Sequence, residues 1–262
     1  MNIVTYDGSW QGFLTAVFEI YEYKITDVNC CNMHTAHASL FGKIHHAHTN
    51  VVKADRVLTS LQKKLSATAV QNIYKNFLSE ISGVENVMVR FIQYVLANPQ
   101  KVENNFSNSD VLKIHQVSKK VHREKHRMDA FIRFQRTKDD LYFAMVKPDF
   151  DVLPLIAPHF EKRYADQRWL IYDEHRKYGI YYDLQNVNEV SINFSIDVQN
   201  AATVAAIYSE EEILYQTLWQ QYFSSVNIKA RKNTKLHIQH MPRRYWKFLP
   251  EKQPHVPKYA SK

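Results

Sequence analysis

Glycine is scarce in this sequence, with five in 262 residues. No GxGxxG, GxxxxGKS or GxxxxGKT stretch occurs, so loops that wrap a phosphate in bare backbone are excluded. Cysteine is scarcer still: Cys30 and Cys31, side by side. Adjacent cysteines make a poor structural staple and cannot alone hold zinc or an iron–sulfur cluster. A reducing compartment is therefore the expected setting. No apolar run is long enough to span a bilayer, and "MNIVTYDGSW" lacks the basic-then-apolar layout of a signal peptide. These absences predict a cytoplasmic protein with no membrane contact and no bound cofactor.

Apolar residues make up 45% of the chain and aromatics 13%, enough to bury a core. One domain over 1–262 is expected, with a helical subregion at 51–128, a strand-rich one at 129–200 and a basic helix and tail at 209–262. Charge is strongly segregated. Lys and Arg number nine against eight Asp and Glu in residues 1–108, nine against three in 109–138, six against fourteen in 139–224, and ten against one in 225–262. A surface shaped for solubility alone mixes its signs. Blocks of this kind point to a polyanion, to an acidic protein partner, or to pairing between the blocks.

Periodicity and punctuation give a coarse map. "NIVTYDGS" reads as a strand and turn, and Ser9 can cap a helix over 10–23. Residues 24–42 read as irregular, and "KIHHAHTN" as a strand. Three helices follow at 52–65, 67–81 and 84–98, then a loop to 108. A helix over 110–128, capped by Ser109 or Asp110, turns Leu112, Ile114, Val117, Val121 and Met128 inward. "AFIRFQR" and "LYFAMVKP" form a hairpin about "TKDD". "VLPLIAPHFEKRY" reads as a helix, "RWLIYD" and "YGIYYD" as a second hairpin, "EVSINFSI" as a strand and "SEEEILYQTLWQQYFSSV" as a last helix. No regular βαβ rhythm is seen. The fold class is α+β, a helical N-terminal half plus antiparallel hairpins packed with helices.

Most of the chemistry gathers in "KKVHREKHRMDAFIRFQR", residues 119–136, with seven Lys/Arg and two His. His122 and His126 stand four apart on one helix face, a usable ligand spacing, yet neither H-E-x-x-H nor H-x-x-E-H is met. Glu124 points to nearly the opposite side, and the crowd of cations repels a dication. Metal binding is set aside. The same helix lines up His115, Lys119, His122 and His126, with Lys120, Arg123 and Arg127 alongside. Such a face can meet several phosphates; it can equally be a solvated face, or cover the acidic block.

In the tail, "MPRRYWKFL" interleaves Arg243, Arg244 and Lys247 with Tyr245, Trp246 and Phe248. Cations beside aromatics suit unstacked bases, although Tyr245 and Trp246 can instead anchor the tail onto the core. The His-rich run at 29–50 meets no zinc spacing. For acid–base work, Glu124, His126, Asp149, Asp151 and His159 are weak catalytic candidates around a strand-to-helix junction, where the two aspartates can also cap the following helix.

Seven ordered blocks, among them "TYDGSWQGFLTAVFEIYE", "LSATAVQNIYKNFLSE", "KVHREKHRMDAFIRF", "YFAMVKPDFDVLPLIAPHFEKRY" and "MPRRYWKFLPE", resemble a bacterial family of DNA-metabolism proteins of undetermined activity. The resemblance spans nearly the whole chain. It implies a companion radical SAM protein of DNA modification or repair; in some chains a similar region precedes a uracil-DNA-glycosylase-type domain. Nothing after residue 225 resembles a glycosylase, and the CxxxCxxC motif of a radical SAM enzyme is missing. The expected role is an accessory protein binding DNA, the radical SAM companion, or both. Its grip would be Lys119, Lys120, His122, Arg123, His126 and Arg127 on the helix, with Arg243, Arg244, Tyr245, Trp246 and Lys247 in the tail. A nucleic-acid- or nucleotide-processing enzyme is the second reading, and a scaffold whose basic blocks meet its own acidic block is the third.

Overall fold

The computed structural model describes residues 2–34, 43–191 and 238–252, together with 212, 215, 216 and 218. The fold is α+β, and the chain divides into two compact units, Met1–Arg123 and Glu124–Lys262.

The first unit is built on β1 (Asn2–Tyr6), which lies between β2 (Val28–Asn32) and β3 (Ile44–His46), parallel to both. A parallel pair needs a crossover, and α1 (Trp10–Glu22) supplies the one from β1 to β2. Ser9 caps α1 as expected, its hydroxyl accepting from the Gly12 N–H at 2.9 Å. The β2 strand falls in the stretch expected to be irregular: "VNCCN" has no alternation of its own, with one of its five residues buried, and is held by its register on β1, Val4 opposite Cys30. Of the His-rich run, residues 35–42 lie outside the described residues. His45 meets Glu19 at 2.7 Å and His46 meets Thr5 at 2.6 Å.

Helices α2 (Val51–Lys64), α3 (Ala67–Phe77) and α4 (Val84–Ala97) lie close to their expected limits. Asn50 caps α2 and Ser66 caps α3. Lys64, in the last turn of α2, donates to the carbonyls of Leu96 at 2.7 Å and Asn98 at 2.9 Å, serving the orphan end of α4. Phe13, Leu61, Ile73, Met88 and Ile92 form the centre of this unit's core.

Helix α5 (Ser109–Phe131) extends past both expected ends and runs through the division between the units. Its cap is Asn108, whose side chain accepts from the N–H of Asp110 at 2.9 Å and of Val111 at 3.2 Å; Asp110 instead pairs with Arg90 at 2.7 Å. Ile114, Val117, Val121 and Met128 are buried as expected, but Leu112 is 39% exposed and Val111 takes the inward place.

In the second unit the sheet order is β4-β5-β6-β7-β8, with strands Gln135–Arg136, Tyr142–Val146, Trp169–Asp173, Tyr178–Tyr182 and Val187–Val190. The second expected hairpin forms, β6 with β7, and β8 adds to β7 antiparallel. Of the first, β5 forms, but its partner β4 is only Gln135–Arg136 of the strand expected over 130–136, because α5 continues to Phe131. Between the hairpins, β5 and β6 are parallel, with α6 (Leu153–Arg163) as the crossover. Trp169, Ile171, Leu153, Ile156 and Phe160 are buried. A 3-10 helix at Arg243–Phe248 and a turn at Pro250–Lys252 complete the described residues. The helix expected at 209–226 lies outside them except at the four positions named above. No described helix is long and apolar enough to cross a membrane.

Candidate nucleic-acid interface

Parallel pairing of β5 and β6 puts their carboxyl ends side by side, a place where open α/β sheets gather ligands. Pro148 stands two residues after β5, beyond Lys147, and carries no N–H for a longer ladder. At the end of β6, Asp173 is fully buried. One of its oxygens accepts from the N–H of His175 at 2.8 Å and of Arg176 at 3.2 Å; the other pairs with the Arg176 guanidinium at 2.8 Å. Arg176 also reaches the Pro148 carbonyl at 3.2 Å. Asp151 accepts from the Tyr178 hydroxyl, and burial together with that carboxylate's charge drives the Tyr178 phenol far up. The two strand ends are thereby tied together by charge.

Glu124, in α5, is the centre of a second knot and is only 2% exposed. Its oxygens accept from the Tyr245 hydroxyl at 2.7 Å, from the Arg244 guanidinium at 2.8 Å and from the Asp149 N–H at 2.9 Å, with Arg127 at 3.5 Å. Arg244 also donates to the Tyr245 oxygen and pairs with the Asp149 carboxylate at 2.8 Å. Burial, then the hydrogen bond and charge of Glu124, push the Tyr245 phenol up, so it stays a donor. Burial alone would lower the Arg244 value, but Glu124, Tyr245 and Asp149 raise it. A carboxylate with this many donors on two oxygens is held in place by them. The gap beside Tyr245, lined by Met128, Phe131, Val146 and Phe248, is about 10 Å³, room for no more than one water.

Of the five catalytic candidates, Glu124 and Asp149 come together. His126 is exposed, two residues beyond Glu124 and so on another face of α5. Asp151 is bonded to Tyr178, and His159 packs edge-on to Phe160 with ring centroids 5.1 Å apart. Among the described residues no group of three or more His, Cys, Asp or Glu is placed to hold a metal ion.

The cations expected to grip phosphate divide sharply. On α5, Lys119, Lys120, His122 and Arg123 are exposed. No described carboxylate pairs with Lys119, Lys120 or Arg123. Arg127 is half-buried beside Glu124. In the tail, Arg244 is engaged by Glu124 and Asp149, Lys247 pairs with Glu174 at 2.6 Å, and Tyr245 is buried with its hydroxyl on Glu124. Trp246 is half-buried: its indole N–H donates to the Met241 carbonyl at 3.0 Å, and Arg243 and Lys252 lie over its ring at 5.8 and 5.2 Å. Tyr245 thus occupies the anchoring position; Arg243, Arg244 and Lys247 are all exposed, but Arg244 and Lys247 are held by carboxylates while Arg243 lies over Trp246. Sequence reasoning missed Asp173, Arg176 and Tyr178, which lie at and after the turn of the second hairpin; the one signal was a carboxylate closing an otherwise apolar strand.

A family model described as a domain of unknown function, DUF4130, matches residues 82–251. A search of curated proteins finds no match. The matched stretch takes in α4, α5, the whole described sheet of the second unit and the Glu124 knot through to Glu251, roughly two thirds of the sequence. The chain belongs to the DUF4130 family.

Proposed function

We propose that this is a nucleic-acid-binding accessory protein of DNA repair or modification, acting in the cytoplasm beside a radical SAM companion. The observation that carries the reading is the exposed cationic stretch of α5, where Lys119, Lys120 and Arg123 project from one helix without a described carboxylate partner. Rigid helical spacing presents these charges at fixed separations, which suits contact with successive phosphates. The tail plays a lesser part, because Arg244 and Lys247 are drawn into the second unit's own carboxylates. Support for DNA as the polyanion, and for the radical SAM companion, comes from the family resemblance.

The test is DNA binding measured over a range of salt concentrations. Each phosphate contact contributes about 0.9 to the slope of log affinity against log salt on duplex DNA. Replacing Lys119, Lys120 and Arg123 with Ala is expected to weaken binding and to flatten that slope by about 2–3. An unchanged slope in the triple variant removes the assignment. Co-purification with the companion, with and without nuclease treatment, tests whether the two proteins meet directly or only through nucleic acid.

A further inference from the structure

Within the first unit, a cavity of about 110 Å³ opens between the start of α3, α4 and the first turns of α5. Its floor is apolar, with Phe91 and Ile114 buried at 2% and 4% exposure. Its rim is polar, carrying Thr68, Asn72, Glu103 and His115. An apolar cavity of about 150 Å³ accepts benzene. A slightly smaller space with an open mouth therefore fits one planar six-membered ring, its face on Phe91 and Ile114 and its edge among the rim groups.

The rim selects the chemistry of that edge. One Glu103 oxygen accepts from the Ser66 N–H at 2.8 Å. This fixes the carboxylate and leaves its second oxygen to accept from a ligand. Asn72 accepts from the Ser118 hydroxyl at 2.6 Å, which orients its amide and leaves the NH2 group as a donor with no partner among the described residues. A carboxylate at the mouth repels phosphates and other anions. The preferred ligand offers an N–H beside a lone pair, as an amino-pyrimidine does: the exocyclic amine of cytosine meets Glu103, and its ring nitrogen or carbonyl meets Asn72. Uracil also has a ring N–H beside a lone pair, but that N–H is recessed between two carbonyls. Presenting it to Glu103 sets carbonyl oxygens against the carboxylate, whereas the amine of cytosine projects freely. The His115 ring, already packed on Phe106 at 5.1 Å, closes one side.

The geometry points to a binding site for a single unstacked cytosine-type base. It rests on the nucleic-acid reading above, because Lys119 follows His115 by one turn of α5, about 6 Å along the axis, where the strand's phosphates would continue. The same pocket chemistry would take a free nucleoside, so the two sources are separated by assaying both.

The experiment uses the full chain and titrates cytidine and uridine by calorimetry, then dC and dT oligonucleotides at low salt. Cytidine is expected to bind about tenfold or more tighter than uridine, the discrimination of one well-placed polar contact. Thr68→Tyr adds a ring at an exposed rim position of α3 without touching the core, and should abolish cytidine binding. Glu103→Gln keeps an acceptor for the Ser66 N–H and should bring the two nucleosides within about threefold. The Lys119, Lys120, Arg123 triple variant should bind cytidine normally, since a nucleoside has no phosphate. A preference for dC that Thr68→Tyr abolishes extends the site to bases in a strand; a preference in nucleosides alone confines it to free ligands. No nucleoside binding, a preference for uridine, or binding that persists in Thr68→Tyr overturns the inference. Failure of the helix grip would show only in the oligonucleotide salt slope.

Discussion

Glu124 illustrates how one residue in a charged stretch can be structural while its neighbours are exposed. Lys120 and Arg123 face water, whereas Glu124 is buried and accepts from groups more than a hundred residues along the chain. Glu124→Ala would leave the Tyr245 hydroxyl, the Asp149 N–H and the Arg244 guanidinium without their acceptor. The expected loss is about 2–4 kcal/mol, below the full figure for a buried pair because Arg244 is partly exposed. Tyr245→Phe removes one donor and leaves Glu124 paired with Arg244, a loss of about 1 kcal/mol. Urea denaturation of both variants checks the ordering, and a Tyr245→Phe loss as large as that of Glu124→Ala would show that the hydroxyl rather than the carboxylate is the hub. Little of this was legible in the sequence. The helical wheel correctly separated Glu124 from His122, but its partners come from a distant tail, and no local pattern announces a contact that only tertiary structure creates. The aromatic character of "RRYWKF" did allow Tyr245 to be an anchor; whether a Tyr is buried depends on an acceptor waiting for its hydroxyl.

Elements with strong internal periodicity were legible for a physical reason: α2, α3, α4 and α5 each bury one stripe. Parallel strands lack that local signature. The β2 strand and the β5–β6 pair depend on partners far off in the chain, so the sequence pattern exposed the antiparallel hairpins and left the parallel junctions unseen. Gly179 supplies the test of that sheet. It sits in β7 opposite Tyr172 of β6, and a Cβ there would meet the Ile171 carbonyl oxygen at 2.8 Å and a Leu170 methyl at 3.1 Å. The central strand β6 is bonded on both sides, to β5 and β7, and cannot retreat. Gly179→Ala is expected to cost about 1–3 kcal/mol through overpacking, read as a lower urea midpoint, with new amide shifts along both strands. An unmoved midpoint would mean that the carbonyl yields freely and that this pairing is looser than its register implies.

At the scale of the whole molecule, the family boundary and the folding boundary do not coincide. The DUF4130 match begins at residue 82, before α4, yet α4 belongs to the core of the first unit. Val84, Met88, Val89, Phe91, Ile92 and Val95 are buried among residues that include Phe13, Leu61 and Ile73, all outside the match. Cutting the chain at residue 82 would return these side chains to water. At about 1.5–3 kcal/mol for each large side chain, the six together represent on the order of 10 kcal/mol, comparable with the net stability of an ordinary domain at about 5–15 kcal/mol. The second unit, by contrast, holds charges internally through Arg133–Glu251, Arg244–Asp149 and Lys247–Glu174, and both partners of each of these pairs lie within the match. A fragment spanning residues 82–251 is therefore expected to keep the second unit's sheet while exposing the apolar face of α4. It should bind a hydrophobic dye and self-associate on gel filtration, where the full chain does neither. Adding back residues 1–81 as a separate chain should quench the dye signal if α4 re-docks. A monomeric fragment with no dye binding would show that α4 finds another cover, and that the segment shared by the family is a complete folding unit.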